Sequence, residues 1–187
     1  MHSSNHVIEE PKFTQFILQN PKFAWFWLII RAYVGWQWFE AGWSKIHSPA
    51  WVGNQAGGAL SGFVNGALAK TGGAHPDVQS WYAWFLAHVI LPHPLFWSHL
   101  VAYGEVFVGI ALIIGLLTGI AAFFGFLMNL NYLLAGTVST NPILLVLAVG
   151  IILAWRVAGF LGLDYWALRF IGTPWHPGTM TGAKETI

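Results

Sequence analysis

The sequence predicts an all-α polytopic membrane protein, a bundle of four transmembrane helices with a short interfacial helix in the long loop between helices one and two. Of its 187 residues, 56% are hydrophobic and 8% are charged, whereas soluble domains carry about 25% charged residues. Four windows are long and apolar enough to cross a hydrocarbon core, which takes about 20 helical residues; they span residues 23–43, 100–117, 119–138 and 142–160. Helices are expected because a spanning segment must satisfy its own backbone hydrogen bonds.

The first half of the chain contains one of these windows and a long loop. Residues 1–22 form a polar N-terminal segment, and the window 23–43 follows it. Within the loop 46–99, the stretch WYAWFLAHVILP at 81–92 is apolar yet too short to span, which predicts an interfacial or re-entrant helix. The glycine-bounded stretch 57–73 is a second candidate for a short helix.

The second half predicts three helices joined by short turns. LLTG at 116–119 and STNP at 139–142 contain the Thr, Asn and Pro residues typical of helix ends. The three helices should therefore be antiparallel neighbours. The tail 172–187 is rich in Pro, Gly and Thr, so it is expected to be irregular. Together these features predict a single domain over residues 1–187.

Basic residues predict the orientation of the chain in the cell (inner) membrane. The positive-inside rule counts Lys and Arg near the ends of the spans. Four lie towards the two termini and two in the long loop, namely Lys12, Lys22, Arg156 and Arg169 against Lys45 and Lys70. Both termini are therefore expected in the cytoplasm, and the loop 46–99 is expected outside.

Ionisable side chains inside the apolar windows are the leading candidates for a functional site. A charge at the bilayer centre costs about 2.5–3.5 kcal/mol on insertion scales, so such groups should face the bundle and find partners. Glu40 and Glu105 are two of them, and Glu105 shares a helix face with Gly109. At about 100° per residue, the face of the first helix opposite Glu40 contains Arg31, Gly35, Trp38, Gly42 and Lys45. Two interpretations stay open: the charges form a reaction site, or Arg31 pairs with Glu105 and only locks the bundle.

Other polar and aromatic residues give weaker signals. Asn129 shares a helix face with Gly125, whereas Asn131 points elsewhere, and Trp38 is either a stacking platform for a planar ring or a core residue. The histidines match no zinc or haem spacing, so no metal site is predicted. The absence of cysteine excludes thiol and iron–sulfur chemistry by this chain's own residues. A net charge of +1 gives no argument for nucleic-acid binding.

Several short motifs, taken together, resemble the DoxX/DoxD family. They are R-x3-G-x6-G-x2-K from Arg31 to Lys45, GE-x3-G from Gly104 to Gly109, the turn LLTG, the pair NP at 141–142, and the closing AGFLGLDYW. The similarity covers about residues 31–169. It implies a four-helix inner-membrane protein similar to the large, membrane-embedded DoxD subunit of archaeal thiosulfate:quinone oxidoreductase. In that enzyme two thiosulfates are oxidised to tetrathionate and the electrons pass to quinone.

The residues named above can be fitted to that chemistry as a hypothesis. Glu105 and Arg31 would be catalytic, with Glu105 relaying the proton that quinone reduction requires. The residues that bind substrate or quinone would be Lys45, Glu40, Trp38, Asn129 and Asn131. Quinone would be a diffusible co-substrate, without a metal or nucleotide. The expected partners are the lipid bilayer, a small accessory subunit or peripheral redox protein, and a second copy of the chain.

Two other functions remain as alternatives. One is a non-catalytic membrane module that anchors or organises partner redox proteins, in which the buried charges are structural locks. The other is a small-solute transporter, which is less favoured because two inverted halves are not visible in the sequence.

Overall fold

The computed structural model describes residues 11–173, 176–177 and 179, and this part of the chain is mostly helical. Its helices are α1 (Lys12–Gln19), α2 (Ala24–Ile46), α3 (Gly58–Leu68), α4 (Ser80–Phe85), α5 (Pro94–Ile114), α6 (Thr118–Leu134), α7 (Asn141–Leu153), α8 (Trp155–Ala158) and α9 (Asp164–Ile171). A 3-10 turn at Pro21–Phe23 leads into α2, and a π-helical segment at Leu86–Ile90 continues α4. The all-α prediction is confirmed, apart from a small antiparallel ribbon of β1 (Gly172–Thr173) and β2 (His176–Pro177).

The long helices run back and forth between two ends of the molecule. We call the end that contains residues 47–93 the loop end, and the end that contains α1, α8 and α9 the terminal end. α2 runs to the loop end, α5 returns, α6 runs to the loop end again, and α7 returns. α2 packs chiefly on α5, whereas α6 packs on both α5 and α7. The predicted antiparallel arrangement of the last three long helices is therefore confirmed.

Several helix boundaries differ from the apolar windows, among them the end of α6 at Leu134 instead of 138, and two of the differences have a clear physical reason. α5 begins at Pro94, earlier than the window that starts at residue 100, since proline fits a first helical turn that needs no N–H. The window 142–160 is not one helix, because α7 ends at Leu153 and α8 begins at Trp155. The break coincides with close packing of Trp155 on Gly119, where an added Cβ would lie 3.0 Å from the Trp155 Cβ. Hydropathy does not report such a contact.

Both terminal segments contain structure that the sequence did not predict. In the segment expected to be merely polar, residues 12–19 form α1, and the Trp27 indole donates a hydrogen bond to the Ile17 carbonyl over 2.8 Å. The tail was expected to be irregular, but Gly172 and Thr173 pair with residues 176–177. Residues 1–10, 174–175, 178 and 180–187 lie outside the described residues.

Helix length and composition identify one of the four expected membrane spans. Within the described residues, α5 alone is long and apolar enough to cross a membrane. α6 and α7 are shorter apolar helices of 17 and 13 residues. α2 has 23 residues but includes Arg31, Glu40 and Lys45.

Small residues let α2 and α5 approach each other closely. A Cβ at Gly35 or Gly42 would lie 2.9 Å or 2.6 Å from a backbone nitrogen of α5, and one at Gly109 would run into the backbone of α2. These distances are shorter than van der Waals contact allows, so the three glycines fix the register of the two helices. The predicted inner face of α2 is confirmed, since Arg31 and Trp38 are buried together with Gly35 and Gly42.

Buried apolar side chains form two clusters. The bundle core lies among the long helices and includes Trp27, Val34, Trp38, Leu112 and Ile151. The loop core joins α3, α4 and the π-helical segment to the end of α6, and includes Leu60, Val64, Tyr82, Leu86 and Ala135. The short helices expected at 57–73 and 81–92 are confirmed as α3 and as α4 with its π-helical continuation.

Arg31 ties three parts of the chain together at the terminal end. Its Nη1 donates to the Leu112 carbonyl over 2.9 Å, and its Nη2 donates to the Leu161 carbonyl over 3.1 Å. Leu112 belongs to the last turn of α5, whose carbonyls have no partner within the helix. Arg31 thus caps α5 and holds the segment before α9 against it.

Asp164 performs the matching role at the start of α6. Its carboxylate accepts the backbone N–H groups of Leu117 and Thr118 over 2.6 and 2.8 Å, which are orphan donors of a first helical turn. Its own N–H donates to the carbonyl of Gly115 over 2.7 Å. We call Arg31, Gly115 and Asp164 the terminal clasp. Two of the sequence motifs, LLTG and the GLD of the closing motif, meet in it.

Candidate functional site

The carboxylate of Glu105 is the centre of a buried polar cluster near the loop end. Lys45 Nζ lies 2.6 Å from Glu105 Oε2, and the Tyr132 hydroxyl donates to Oε1 over 2.5 Å. Glu105 is fully buried, whereas the Lys45 side chain keeps 20% of its surface exposed. We call these three residues the Glu105 cluster. One carboxylate oxygen therefore forms an ion pair with an ammonium group, and the other accepts a hydrogen bond from a phenol.

Neighbouring residues hold the cluster in place. Gly42 lies one turn before Lys45 on α2. A Cβ at Gly42 would lie 2.8 Å from the Glu105 Cβ, so the absence of a side chain there makes room for the acid. The Lys45 ammonium lies 5.2 Å from the ring centre of Trp51, a favourable cation–π position. The side chain of a buried acid is thereby fixed between two helices.

The Tyr132 ring is clamped between aromatic residues. Its centroid lies 6.4 Å from that of Trp38 on α2 and 6.0 Å from that of Phe63 on α3. Both separations fall in the range of favourable aromatic pairs. The ring orientation that points the hydroxyl at Glu105 is therefore set by packing on both sides.

The ion pair between α2 and α5 uses Lys45 and not Arg31. Arg31 donates to the Leu112 carbonyl, seven residues beyond Glu105 on the same helix and so about 10 Å further along it. The alternative in which Arg31 pairs with Glu105 is not formed. The structure places the two predicted catalytic residues at different ends of the α2–α5 contact.

A cavity of about 580 Å³ lies between the loop core and helices α5 and α6. Its walls are mostly aliphatic and aromatic and include Phe63, Leu86, Trp97, Val108 and Met128. The indole N–H of Trp97 donates to the Val89 carbonyl, and three further residues bring polar groups to the cavity: Tyr82, Asn131 and Tyr132. Because Tyr132 belongs both to the lining and to the Glu105 cluster, the cavity adjoins the buried acid.

The polar side of the cavity contains a second hydrogen-bonded pair. The Tyr82 hydroxyl lies 3.0 Å from both the backbone and the side-chain oxygen of Asn131. The Asn131 amide nitrogen donates to the Leu127 carbonyl over 2.7 Å. Burial raises the pKa of Tyr82 to about 12, so its phenol stays protonated at physiological pH and remains a hydrogen-bond donor.

Trp38 and Asn129 are buried inside the bundle and not in the cavity lining. Trp38 is 3% exposed, and its ring neighbour is Tyr132. Asn129 is fully buried, and neither its amide atoms nor the Trp38 Nε1 hydrogen-bonds to another described residue. A Cβ at Gly125, one turn before Asn129, would lie 3.0 Å from Trp38 Nε1. Trp38 Nε1 therefore lies beside Gly125, one turn of α6 away from Asn129.

The remaining predicted residues lie on the surface. Glu40 is exposed and is not part of the cavity lining. Arg156 is exposed at the terminal end, 5.8 Å from the ring centre of Trp155. Within residues 11–173, 176–177 and 179, no group of three or more His, Cys, Asp or Glu side chains is placed to hold a metal ion.

Sequence reasoning missed Tyr132 and Tyr82. Both carry a hydroxyl that needs a partner when its ring is buried, and Tyr132 falls in a window whose other residues are mostly apolar. The need of a buried hydroxyl for a hydrogen-bond partner was the signal that could have pointed to these two residues. The aromatic residues of this chain are so numerous, at 17%, that composition gave no reason to select these two.

Comparison with known proteins identifies one family. The family described as "TQO small subunit DoxD" matches residues 26–174, a range that contains the Glu105 cluster, the cavity and the terminal clasp. No curated protein and no solved structure matches the chain. The description names a small subunit, so the expected likeness to a large subunit was wrong on that point. TQO stands for thiosulfate:quinone oxidoreductase, and the family consists of membrane-associated subunits of such complexes. The chain belongs to the DoxD family.

Proposed function

We propose that this chain is the membrane-embedded subunit of a quinone-linked oxidoreductase, and that thiosulfate is the electron donor. The observation that carries the proposal is the Glu105 cluster beside the apolar cavity. A fully buried carboxylate is costly in a membrane helix and is a functional candidate by default. Here it is bonded to a partly exposed ammonium on one side and, on the other, to a phenol that lines a cavity.

The reaction requires two protons as well as two electrons. Each of two thiosulfates loses one electron as a sulfur–sulfur bond forms between them, giving tetrathionate. The quinone gains the two electrons and two protons to become quinol, so that 2 S₂O₃²⁻ + Q + 2 H⁺ gives S₄O₆²⁻ + QH₂. In a cavity walled by apolar side chains these protons cannot come directly from bulk water. The Glu105 cluster would deliver them from the Lys45 side, which is the exposed side.

Thiosulfate would react at the loop end, outside the apolar cavity. A dianion is not stable among hydrocarbon walls, whereas Lys45 provides a cationic contact close to the surface. An accessory subunit would complete this site, consistent with a family of complex subunits. Arg31 contributes to the terminal clasp in this arrangement and stabilises the fold that presents the cluster.

The proposed membrane arrangement has four crossings in the inner membrane, with both termini in the cytoplasm and the loop end outside. The crossings would be α2, α5, α6 and the α7–α8 pair. Residues 141–158 of that pair would span about 27 Å at 1.5 Å per residue, near the thickness of about 30 Å for a hydrocarbon core. The chain contains no cysteine, so a thiol reagent can label it only at a single cysteine that is introduced by substitution. We expect an impermeant thiol reagent to label His75→Cys on intact cells, and Lys22→Cys only after lysis.

The functional test is anaerobic reduction of decyl-benzoquinone by thiosulfate, with quinol followed optically and tetrathionate quantified. The chain is used in membranes together with its co-purified partners. We expect one tetrathionate per quinol in the wild type and a loss of at least tenfold in Glu105→Gln. Asp77→Asn, which removes an exposed carboxylate at the loop end, should retain full turnover.

Two outcomes would count against the proposal. Turnover that survives in Glu105→Gln would place the reaction elsewhere. Absence of turnover in the wild type, with co-purification of partner proteins that persists in Glu105→Gln, would favour the non-catalytic anchoring module.

A further inference from the structure

We infer that the cavity between the loop core and helices α5 and α6 is the binding site of the quinone ring, and that Tyr132 passes protons from Glu105 to it. The inference rests on the proposed function, because it assigns the substrate of that function to a place and a residue. The cavity would hold the ring, Asn131 would donate a hydrogen bond to it, and Tyr132 would be the catalytic residue. Each of these is carried by a separate feature of the structure.

The size and walls of the cavity favour a flat, apolar ligand. Its volume of about 580 Å³ lies within the range of about 300–1,000 Å³ for small-molecule sites. Phe63, Tyr82 and Trp97 contribute aromatic side chains, and α5 and α6 contribute aliphatic ones. Such walls exclude a thiosulfate dianion, since its desolvation is not compensated. A ring that is dissolved in the bilayer loses little solvation on binding.

Access to the cavity is from the apolar surface of the bundle. The lining residues Leu100, Phe107 and Phe124 of α5 and α6 are 50%, 69% and 53% exposed. In the proposed arrangement this surface faces lipid. A ligand with a long hydrocarbon tail could therefore leave its tail in the bilayer while its ring occupies the cavity.

Asn131 provides a hydrogen-bond donor for one ring oxygen. An amide nitrogen carries two N–H bonds, and one of those on Asn131 donates to the Leu127 carbonyl. The Asn131 side-chain oxygen lies 3.0 Å from the Tyr82 hydroxyl, which fixes the rotation of the amide. The second N–H is thus left for a ligand in the cavity.

Tyr132 can exchange its hydrogen bond between Glu105 and the ligand. With Glu105 ionised, the tyrosine hydroxyl donates to the carboxylate. When the carboxyl takes up a proton from the Lys45 side, it becomes the donor to the tyrosine oxygen, and the tyrosine proton is free to move to a ring oxygen. Each passage delivers one proton and leaves Tyr132 neutral. Two passages match the two electrons that the ring receives from two thiosulfates.

Binding is tested with a photoreactive azido-quinone in nanodiscs that contain the full chain and its partners, followed by mass spectrometry of the labelled peptides. We expect labels in residues 82–97 and 124–132. Leu127→Trp places a bulky ring in the cavity lining and should lower labelling at least fivefold. Leu133→Trp makes the same change on the same helix outside the lining and should label like the wild type.

A second filling variant covers the case in which Leu127→Trp does not fold. Gly104 lines the cavity, and a Cβ there would meet only Met128 Sδ at 3.7 Å. Gly104→Leu should therefore grow into free space and lower labelling to a similar extent. Excess decyl-benzoquinone should compete with the label, whereas dodecanol should not. Equal competition by dodecanol would make the cavity an acyl-chain site and overturn the inference.

The proton role is tested with Tyr132→Phe, which keeps the ring and removes the hydroxyl. We expect labelling within about twofold of the wild type, a kcat at least tenfold lower and an unchanged KM for decyl-benzoquinone, since the lost proton transfer acts in the reaction step. Asn131→Leu should instead raise KM about tenfold, the upper limit for one neutral hydrogen bond. A Tyr132→Phe variant with the wild-type kcat would overturn the relay.

The results separate this inference from the proposed function. If Leu127→Trp and Gly104→Leu both label like the wild type while the wild type still shows turnover, the cavity assignment is overturned. The proposed function is then unaffected. Cavity-dependent labelling without any thiosulfate-driven turnover would support the binding site and contradict the proposed function.

Discussion

Lys45 and Glu105 are 60 residues apart in the chain, yet Lys45 Nζ lies 2.6 Å from Glu105 Oε2. The pair joins the last turn of α2 to the middle of α5. Its two members differ in environment, because Glu105 is fully buried and Lys45 is partly exposed. The two residues should therefore differ in how much stability is lost when each is replaced.

Removing the cation should destabilise the protein more than neutralising the acid. Lys45→Met leaves a buried carboxylate without its ion pair, which typically costs about 3–5 kcal/mol. In Glu105→Gln the ammonium can turn to water, so the cost should be smaller. Unfolding in mixed micelles measures both free energies, and the double variant should be more stable than Lys45→Met. Equal losses in the two single variants would show that exposure does not decide the cost.

The terminal clasp should depend on the Asp164 carboxylate. Asp164→Ala leaves the backbone N–H groups of Leu117 and Thr118 without their acceptor, so we expect a loss of about 1–2 kcal/mol, the typical value of a helix cap. Asp164→Asn keeps one acceptor oxygen and should lose less. The same unfolding assay applies, with the exposed Asp77→Ala as control. A loss in Asp77→Ala as large as that in Asp164→Ala would contradict the assigned role.

The close α2–α5 contact should be intolerant of a single methyl group. Gly109→Ala would push a Cβ into the backbone of Phe39, so a destabilisation of about 1–3 kcal/mol is expected from overpacking. Gly62→Ala is the matched control, because an added Cβ on this α3 residue meets nothing within 4 Å. Alanine is the better helix former there, which should stabilise α3 by about 0.5–1 kcal/mol. Identical melting temperatures for the two variants would refute the contact.

Tyr82 should make the loop core sensitive to alkaline pH. Its pKa is raised by burial to about 12, from 10.0. A raised pKa means that the folded state holds the proton more tightly, so this stabilisation is present below pH 10 and is lost as the pH rises towards 12. Between pH 9 and 11.5 the melting temperature of Tyr82→Phe should fall less than that of the wild type. Parallel curves would indicate that Tyr82 ionises like an exposed tyrosine.

The faces of individual helices could be predicted from the sequence, because they follow from a fixed angle per residue. Gly35, Trp38 and Gly42 face inward on α2 as expected. The partner of Glu105 could not be predicted in the same way. Arg31 and Lys45 occupy the same face, and the choice between them depends on the axial register of α2 against α5. Contacts such as that of Gly109 with Phe39 fix this register, and hydropathy does not encode them.

The cavity and its tyrosines were beyond prediction for a related reason. The cavity exists because α3 packs on α5 and Tyr82 of α4 hydrogen-bonds to Asn131 of α6, which are contacts between segments far apart in the chain. The short helices of the loop were predictable, but their docking site was not. Tyr132 becomes a candidate only once that docking places Phe63 against its ring.

One consequence of the two separate cores concerns how the dimensions of the cavity can change. One wall is formed by the loop core, whereas the opposite wall consists of helices that also belong to the bundle core. Substitutions at Leu60 or Leu86 would therefore alter the ring size that the cavity accepts while the α2–α5 contact and the Glu105 cluster stay in place. In the proposed function, ligand selectivity would then depend mainly on the loop core and proton delivery on the bundle, and the two meet where Phe63 packs on the Tyr132 ring.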